Sequence, residues 1–207
     1  HAATPDRGLG IGECRAELAP EATPDSYHLG FAGDVFNTAW YLARLRPYDE
    51  VAFFSAIGTD AISLKLRAAI VASGIDDRHV QSVADRTIGL YMISLENGER
   101  SFSYWRAQSA ARLLAQDARA LRDAIEAANL VYLSGITLAI LDPSSRATLL
   151  GALRDARATG TRIAFDPNLR PRLWSEPSEM TETIMPNAAV CAIAVPSFED
   201  GARWFRD

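Results

Sequence analysis

The chain has 207 residues and a formal net charge of −5, from 21 Lys+Arg against 26 Asp+Glu. Apolar residues make up 48% and charged residues 23%, which excludes a disordered chain and matches a globular protein. The acidic balance argues against a nucleic-acid partner, which leaves a basic footprint, and no apolar run approaches the roughly 18 residues of a membrane span.

Taken in chain order, Leu9–Ile11 reads as a short strand ending at Gly12. Residues 1–6 begin with His1 where Met is expected and are left out of fold reasoning as a tag remnant or truncation point. Tyr27–Ala32 is extended, and Gly33-Asp34 opens a helix whose Phe36, Ala39, Trp40 and Ala43 follow a 3.6-residue period. Val51–Ile57 is a buried strand, and Ile62–Ala72 a helix stopped at Gly74. Ile88–Leu95 and Arg100–Arg106 flank Asn97-Gly98, the signature of a two-residue type I′ hairpin. Asp117–Ala128 is a helix, Leu130–Leu133 a strand, and Pro143–Ala158 a helix ended by Gly160. Arg162–Phe165 is a strand, Glu179–Ile184 a helix, Ala192–Val195 a strand, and Phe198–Phe205 opens another helix. Strands alternating with helices predict a mostly parallel sheet with helices on both faces, and the hairpin, necessarily antiparallel, reads as an appendage.

Several chemistries are excluded by residue type. Lys65 is the only lysine and is followed by Leu66, so no Gly-x-x-x-x-Gly-Lys-Ser/Thr phosphate loop exists. Cys14 and Cys191 lie far apart without a Cys-x-x-Cys partner, and His1, His28 and His79 show no metal-ligand spacing. Reduced thiols point to the cytoplasm.

The hairpin turn fixes a register in which paired positions sum to 195: Leu95 faces Arg100, Ile93 faces Phe102, Tyr91 faces Tyr104, and Gly89 faces Arg106. Alternation then puts Gly89, Tyr91, Tyr104 and Arg106 on one face. Two phenols and a guanidinium over a small-residue gap could bind a carboxylate and hydroxyls, because the guanidinium fork donates two parallel hydrogen bonds. The same face could equally be solvated or packed.

Ligands of open α/β sheets bind beyond the carboxyl ends of the strands. Those ends carry Gly33-Asp34 with Asn37, Ser134-Gly135, Asp166-Pro167-Asn168-Leu169-Arg170 and Pro196-Ser197. Asp34 could bind a sugar hydroxyl or be a helix N-cap, Asp166-Pro167 could bind or simply turn the chain, and Ser197 could cap the last helix.

Read together, these blocks resemble the PfkB (ribokinase-like) carbohydrate kinases, and within them the 2-keto-3-deoxygluconate kinase branch. The resemblance rests on Ile11-Gly12-Glu13-Cys14, Ala32-Gly33-Asp34-Val35-Phe36-Asn37-Thr38-Ala39 and Gly89-Leu90-Tyr91. It continues through Gly98–Arg106, Leu133-Ser134-Gly135-Ile136, Asp166–Pro171 and Pro196–Asp200. It implies a three-layer α/β/α sandwich, read here as one domain over residues 1–207, with a β-lid from about 14–32 and 86–107. It implies that ATP phosphorylates a terminal sugar hydroxyl with Mg2+ present, and that lids pair copies into a homodimer or higher oligomer. Gly33, Asp34 and Asn37 would contact sugar hydroxyls. Tyr91, Tyr104, Arg106 and Arg170 would surround the substrate's carboxylate and keto end, with Gly89, Ile136, Asp166 and Asn168 completing the sugar site. Ser197 and Asp200 match a motif near the nucleotide phosphates and magnesium; the metal ligands are not assigned.

The sequence departs from the family in places. Ala32 stands where many members have the first Gly of Gly-Gly-Asp, Arg15 where an apolar residue is usual, and Ala192 where an Asp is frequent. The family's Gly-Ala-Gly-Asp segment, which supplies the anion hole and catalytic base, is absent from the 207 residues. The expectation is therefore an incomplete kinase sequence with no general base of its own. A kinase for a neutral sugar such as fructose or ribose, and a non-catalytic sugar-binding protein, are the alternatives.

Overall fold

The computed structural model describes residues 6–189 and 191–195. Its elements, in chain order, begin with β1 (Arg7–Ile11), β2 (Arg15–Pro20), β3 (Tyr27–Ala32), α1 (Asp34–Leu45), β4 (Glu50–Ile57) and α2 (Ala61–Ala72). β5 (Val80–Ser82), β6 (Leu90–Glu96), β7 (Glu99–Trp105), α3 (Ala118–Glu126), β8 (Leu130–Ser134) and α4 (Gly135–Ile140) follow. The last are α5 (Pro143–Ala158), β9 (Arg162–Asp166), α6 (Pro177–Ala188) and β10 (Ile193–Ala194).

Six strands form one sheet in the order β10-β9-β8-β1-β4-β5, every pair parallel. Its two faces bury different side chains. On one, Leu9, Ile11, Phe54, Val131, Leu133, Ile163 and Phe165 pack under α3, α4 and α5. On the other, Phe53, Val35, Phe36, Leu66 and Ile70 join β4 to α1 and α2. Neighbouring Phe53 and Phe54 thus enter opposite cores, as the two-residue period of a strand requires. This is the expected three-layer α/β/α arrangement.

The second sheet has four strands in the order β3-β2-β6-β7. β6 and β7 pair in the register the turn predicted, with Tyr91 opposite Tyr104, Ile93 opposite Phe102 and Leu95 opposite Arg100. Asn97 and Gly98 both have positive φ, 52° and 83°, as a type I′ turn demands. β2 joins β6 in parallel and β3 antiparallel, so the lid comes from 15–32 and 90–105. β1 runs straight into β2 through Gly12-Glu13-Cys14, which makes Glu13 the junction between core sheet and lid.

Local sequence explains most element ends. Asp60, Asp117 and Asp142 cap α2, α3 and α5 by accepting backbone N–H groups of their first turns. The Ser145 N–H and hydroxyl hold the Asp142 carboxyl below its ordinary pKa. A carboxylate with a depressed folded-state pKa stabilises above its unfolded value, and that contribution disappears as pH falls through the carboxylate range. Asp142→Ala is expected to lose about 1 kcal/mol at pH 7. The difference from the unaltered chain should shrink below the carboxylate range, as read by urea unfolding at both pH values.

Some elements depart from the sequence reading. Periodicity does not reveal β2, β5 or α4, all short, and the helix expected over Glu179–Ile184 runs from Pro177 to Ala188 with Pro186 inside it. The final strand covers Ile193–Ala194 rather than Ala192–Val195. The expected helix over Phe198–Phe205 lies outside the described residues.

Candidate active site

The site lies where the carboxyl ends of β1, β8 and β9 meet the lid. Gly33 begins the approach: a Cβ there would collide with the backbone carbonyl of Glu13, so only glycine lets the turn before α1 pass the β1–β2 junction. Gly33 is also the N-cap residue of α1, in extended conformation. This corrects the N-cap alternative for Asp34, which is the first residue of the helix and makes no capping bond. The Asp34 carboxylate instead accepts a 2.7 Å hydrogen bond from Asn168 Nδ2, 134 residues later in the chain. Asn168 is held by its own turn: its N–H donates to Asp166 Oδ1 at 3.0 Å, and its φ is positive, 35°. Asp166-Pro167 does turn the chain, and the turn delivers the Asn168 amide to Asp34. Asn37 lies one helical turn beyond Gly33, with an exposed side chain.

The lid supplies the other half. Arg15, Glu17, Tyr91 and Tyr104 share the face turned to the site, as the register Glu17–Tyr91–Tyr104 requires. Gly89 is the gap that admits Arg106: a Cβ on Gly89 would stand 3.2 Å from the Arg106 Cβ and 2.9 Å from Glu13 Oε1. Arg106 already has a carboxylate partner within the chain. Its Nη2 donates to Glu13 Oε2, and burial pushes its pKa down, opposed by the Glu13 charge. Glu13 itself is buried and accepts from the Ser109 hydroxyl at 2.6 Å.

Tyr91 is likewise engaged. Its hydroxyl donates to Glu17, the Arg15 guanidinium lies 4.8 Å above its ring, and burial with the Glu17 contact pushes the phenol pKa up. The phenol is consequently neutral, and Tyr91 backs the site rather than lining its cavity.

A cleft of about 460 Å3 opens between lid and core, lined by Arg15, Tyr104, Arg106, Ile136, Arg170 and Arg172 with neighbouring Pro171 and Leu173. Its volume falls in the range of small-molecule sites, roughly 300–1,000 Å3. The chain brings together Tyr104 and Arg106 from the end of β7, Ile136 from α4 and Arg170 from the segment after β9. Sequence reasoning missed Glu13, Arg15, Ser109 and Arg172. Glu13 and Arg172 sit inside or beside motifs quoted for other residues; the two-residue alternation of β2 carried the signal for Arg15. Ser197 and Asp200 lie outside the described residues. Among the described residues no cluster of three or more His, Cys, Asp or Glu side chains could hold a metal ion.

This geometry can be set beside known proteins. The model of the pfkB family of carbohydrate kinases matches residues 11–207. The chain belongs to that family. It is 38% identical over 195 residues to the 2-dehydro-3-deoxygluconokinase of Dickeya dadantii, covering 92% of this chain and 62% of that protein. A PfkB protein of Polaromonas sp. JS666 superposes with a TM-score of 0.82 at 30% identity, over 97% of this chain and 68% of the other. The 2-dehydro-3-deoxygluconokinase of Thermotoga maritima has the same fold, with a TM-score of 0.83 at 20% identity over 95% of this chain and 61% of that one. The chain thus spans less than two thirds of the Dickeya relative's length. The six-stranded parallel sheet with its four-stranded lid is the fold of these PfkB kinases.

Proposed function

We propose that this chain is the sugar-binding part of an ATP-dependent kinase that phosphorylates the terminal hydroxyl of 2-keto-3-deoxygluconate. The observation that carries the reading is the convergence of four arginines, Arg15, Arg106, Arg170 and Arg172, on one cleft. Among its lining residues no carboxylate offsets them, and Glu13, buried behind, engages one nitrogen of Arg106. A neutral sugar would leave that charge without a partner, whereas a sugar acid supplies a carboxylate. The identity to the Dickeya enzyme supports the same substrate class.

In this reading the arginines take the acid end, with Tyr104 and Ile136 against the carbon chain. Asp34, pinned by Asn168, accepts hydrogen bonds from sugar hydroxyls at the core side. Asn37 and Arg170 complete the shell. Phosphoryl transfer needs positioning and charge stabilisation more than covalent help from the protein. These residues do the positioning: they hold the acid end under the lid and leave the far hydroxyl toward the phosphate donor. Magnesium would travel with ATP, and Ser197 and Asp200 are the residues proposed for the phosphate side.

Two further points belong to the same proposal. Outside the cleft lining the lid exposes Leu95, Phe102 and Trp105, apolar side chains that support pairing with a second copy. Light scattering is expected to give a dimer mass or larger. A kinase drawing on the ATP pool works in the cytoplasm, which suits the free Cys14 and Cys191.

The deciding measurement is a coupled ATP-consumption assay, over a sugar panel, of the full-length protein that contains this chain. Turnover is expected with 2-keto-3-deoxy acids and only weakly with fructose or ribose. Absence of turnover with every 2-keto-3-deoxy acid would refute the proposal.

A further inference from the structure

Arg15 is a residue that neither the turn register nor any strand-end motif singled out. It starts β2 on the lid face shared with Glu17, Tyr91 and Tyr104. Its side chain is 14% exposed and lines the cleft together with Arg106 and Arg170. The guanidinium lies 4.8 Å from the Tyr91 ring centre and 5.8 Å from that of Tyr104, so the rings hold it flat and in place. Its nearest carboxylate is Glu13 Oε2, 3.8 Å from Nε, too far for a hydrogen bond. That oxygen already accepts from Arg106, and the other Glu13 oxygen accepts from Ser109.

Two guanidiniums therefore share one carboxylate, and Arg106 holds its hydrogen bond. The Nε atoms of Arg15 and Arg106 are both buried without a hydrogen-bond partner among the described residues. Burying a charged donor in this state is unfavourable. A second anion arriving in the cleft removes the imbalance: it gives Arg15 the acceptor that Glu13 does not. The flat, ring-supported guanidinium suits a planar two-oxygen anion, which accepts two parallel hydrogen bonds.

We propose that Arg15 is a specificity residue of the sugar site, receiving the substrate carboxylate on the lid side and favouring acid over neutral sugars. The proposal rests on the acid-sugar reading above and names the residue that enforces it. Glu13 and the two tyrosines position Arg15; Arg15 meets the ligand.

The test compares the unaltered full-length protein that contains this chain with Arg15→Met, which keeps length and removes charge, and Arg15→Lys, which keeps charge and removes the fork. KM and kcat are measured on 2-keto-3-deoxygluconate and on fructose, and the Kd for 2-keto-3-deoxygluconate without ATP by calorimetry. Arg15→Met is expected to raise KM and Kd for the acid about tenfold, the weight of one charge-assisted hydrogen bond. It should leave kcat within about twofold and the fructose KM unchanged. Arg15→Lys should fall between the two proteins for the acid, and it decides the matter if Arg15→Met fails to fold. Equal losses for acid and neutral sugar, or no loss for the acid, overturn the proposal and make Arg15 a prop for Tyr91. A full-length protein that binds the acid without phosphorylating it overturns the kinase reading alone, and calorimetry still tests Arg15. An unaltered chain that binds no sugar acid overturns both.

Discussion

Glu13→Ala should destabilise the chain by about 3–5 kcal/mol, the usual consequence of removing one partner of a buried ion pair. The Glu13 side chain is 1% exposed, and Arg106, at 10%, is almost as deeply placed. Removing the carboxylate leaves the Arg106 guanidinium buried beside Arg15 with only the weaker attraction of Asp34, and leaves the Ser109 hydroxyl without its acceptor. Like charges in a low-dielectric setting repel strongly. Since Glu13 joins β1 to the lid, the loss should concentrate where the two sheets meet. For a chain of this size the melting temperature should fall by about 6–20 °C. Glu13→Gln keeps the shape and an acceptor for Ser109, so its loss should be smaller but still clear. Urea unfolding of the three proteins reads both, and a loss below about 1 kcal/mol for Glu13→Ala would mean that Arg106 is held by something other than this pair.

Arg170→Ala should raise KM for 2-keto-3-deoxygluconate by about 10- to 100-fold and hardly change that for fructose. One charge-assisted hydrogen bond to a carboxylate is worth about 1.5–3 kcal/mol, and each 1.4 kcal/mol is a factor of ten. Arg170 gives the cleaner comparison of the two expected carboxylate residues. It is exposed at the cleft, and its Nη1 donates to its own Leu169 carbonyl at 2.7 Å, so truncation leaves no buried charge behind. Arg106→Ala would instead strand the Glu13 carboxylate and mix unfolding with lost binding. The experiment is steady-state kinetics of the full-length protein that contains this chain, on the acid and on fructose. Equal KM changes on both sugars would remove Arg170 from carboxylate recognition.

Much of the architecture was legible because its signals are local. The Asn97-Gly98 turn set the β6–β7 register, and with it the pairing of Tyr91 with Tyr104, because only a tight two-residue turn matches the strand twist. The βα alternation was equally local. β5 and α4, with three and six residues, are too short for a period to emerge, and their placement comes from the sheet and core they join. The candidate site was legible as a set of segments, since Tyr104, Arg106, Ile136 and Arg170 do meet in one cleft. Their pairings were not.

The sequence by itself determined a parallel α/β core, a hairpin with one definite face, and the segments at the strand ends, all consequences of spacing over a few residues. Only the tertiary structure decided which charges answer each other. Arg106 meets Glu13 across 93 residues and Asn168 meets Asp34 across 134, while Arg15 lies over Tyr91 through the parallel pairing of β2 with β6. The reason is physical: a turn constrains neighbours, whereas the partner of a buried charge is fixed by which distant segments the closed sheets bring within hydrogen-bond reach. Glycine at 33 and 89 permits that closeness, but the residues that profit from it are chosen by the fold.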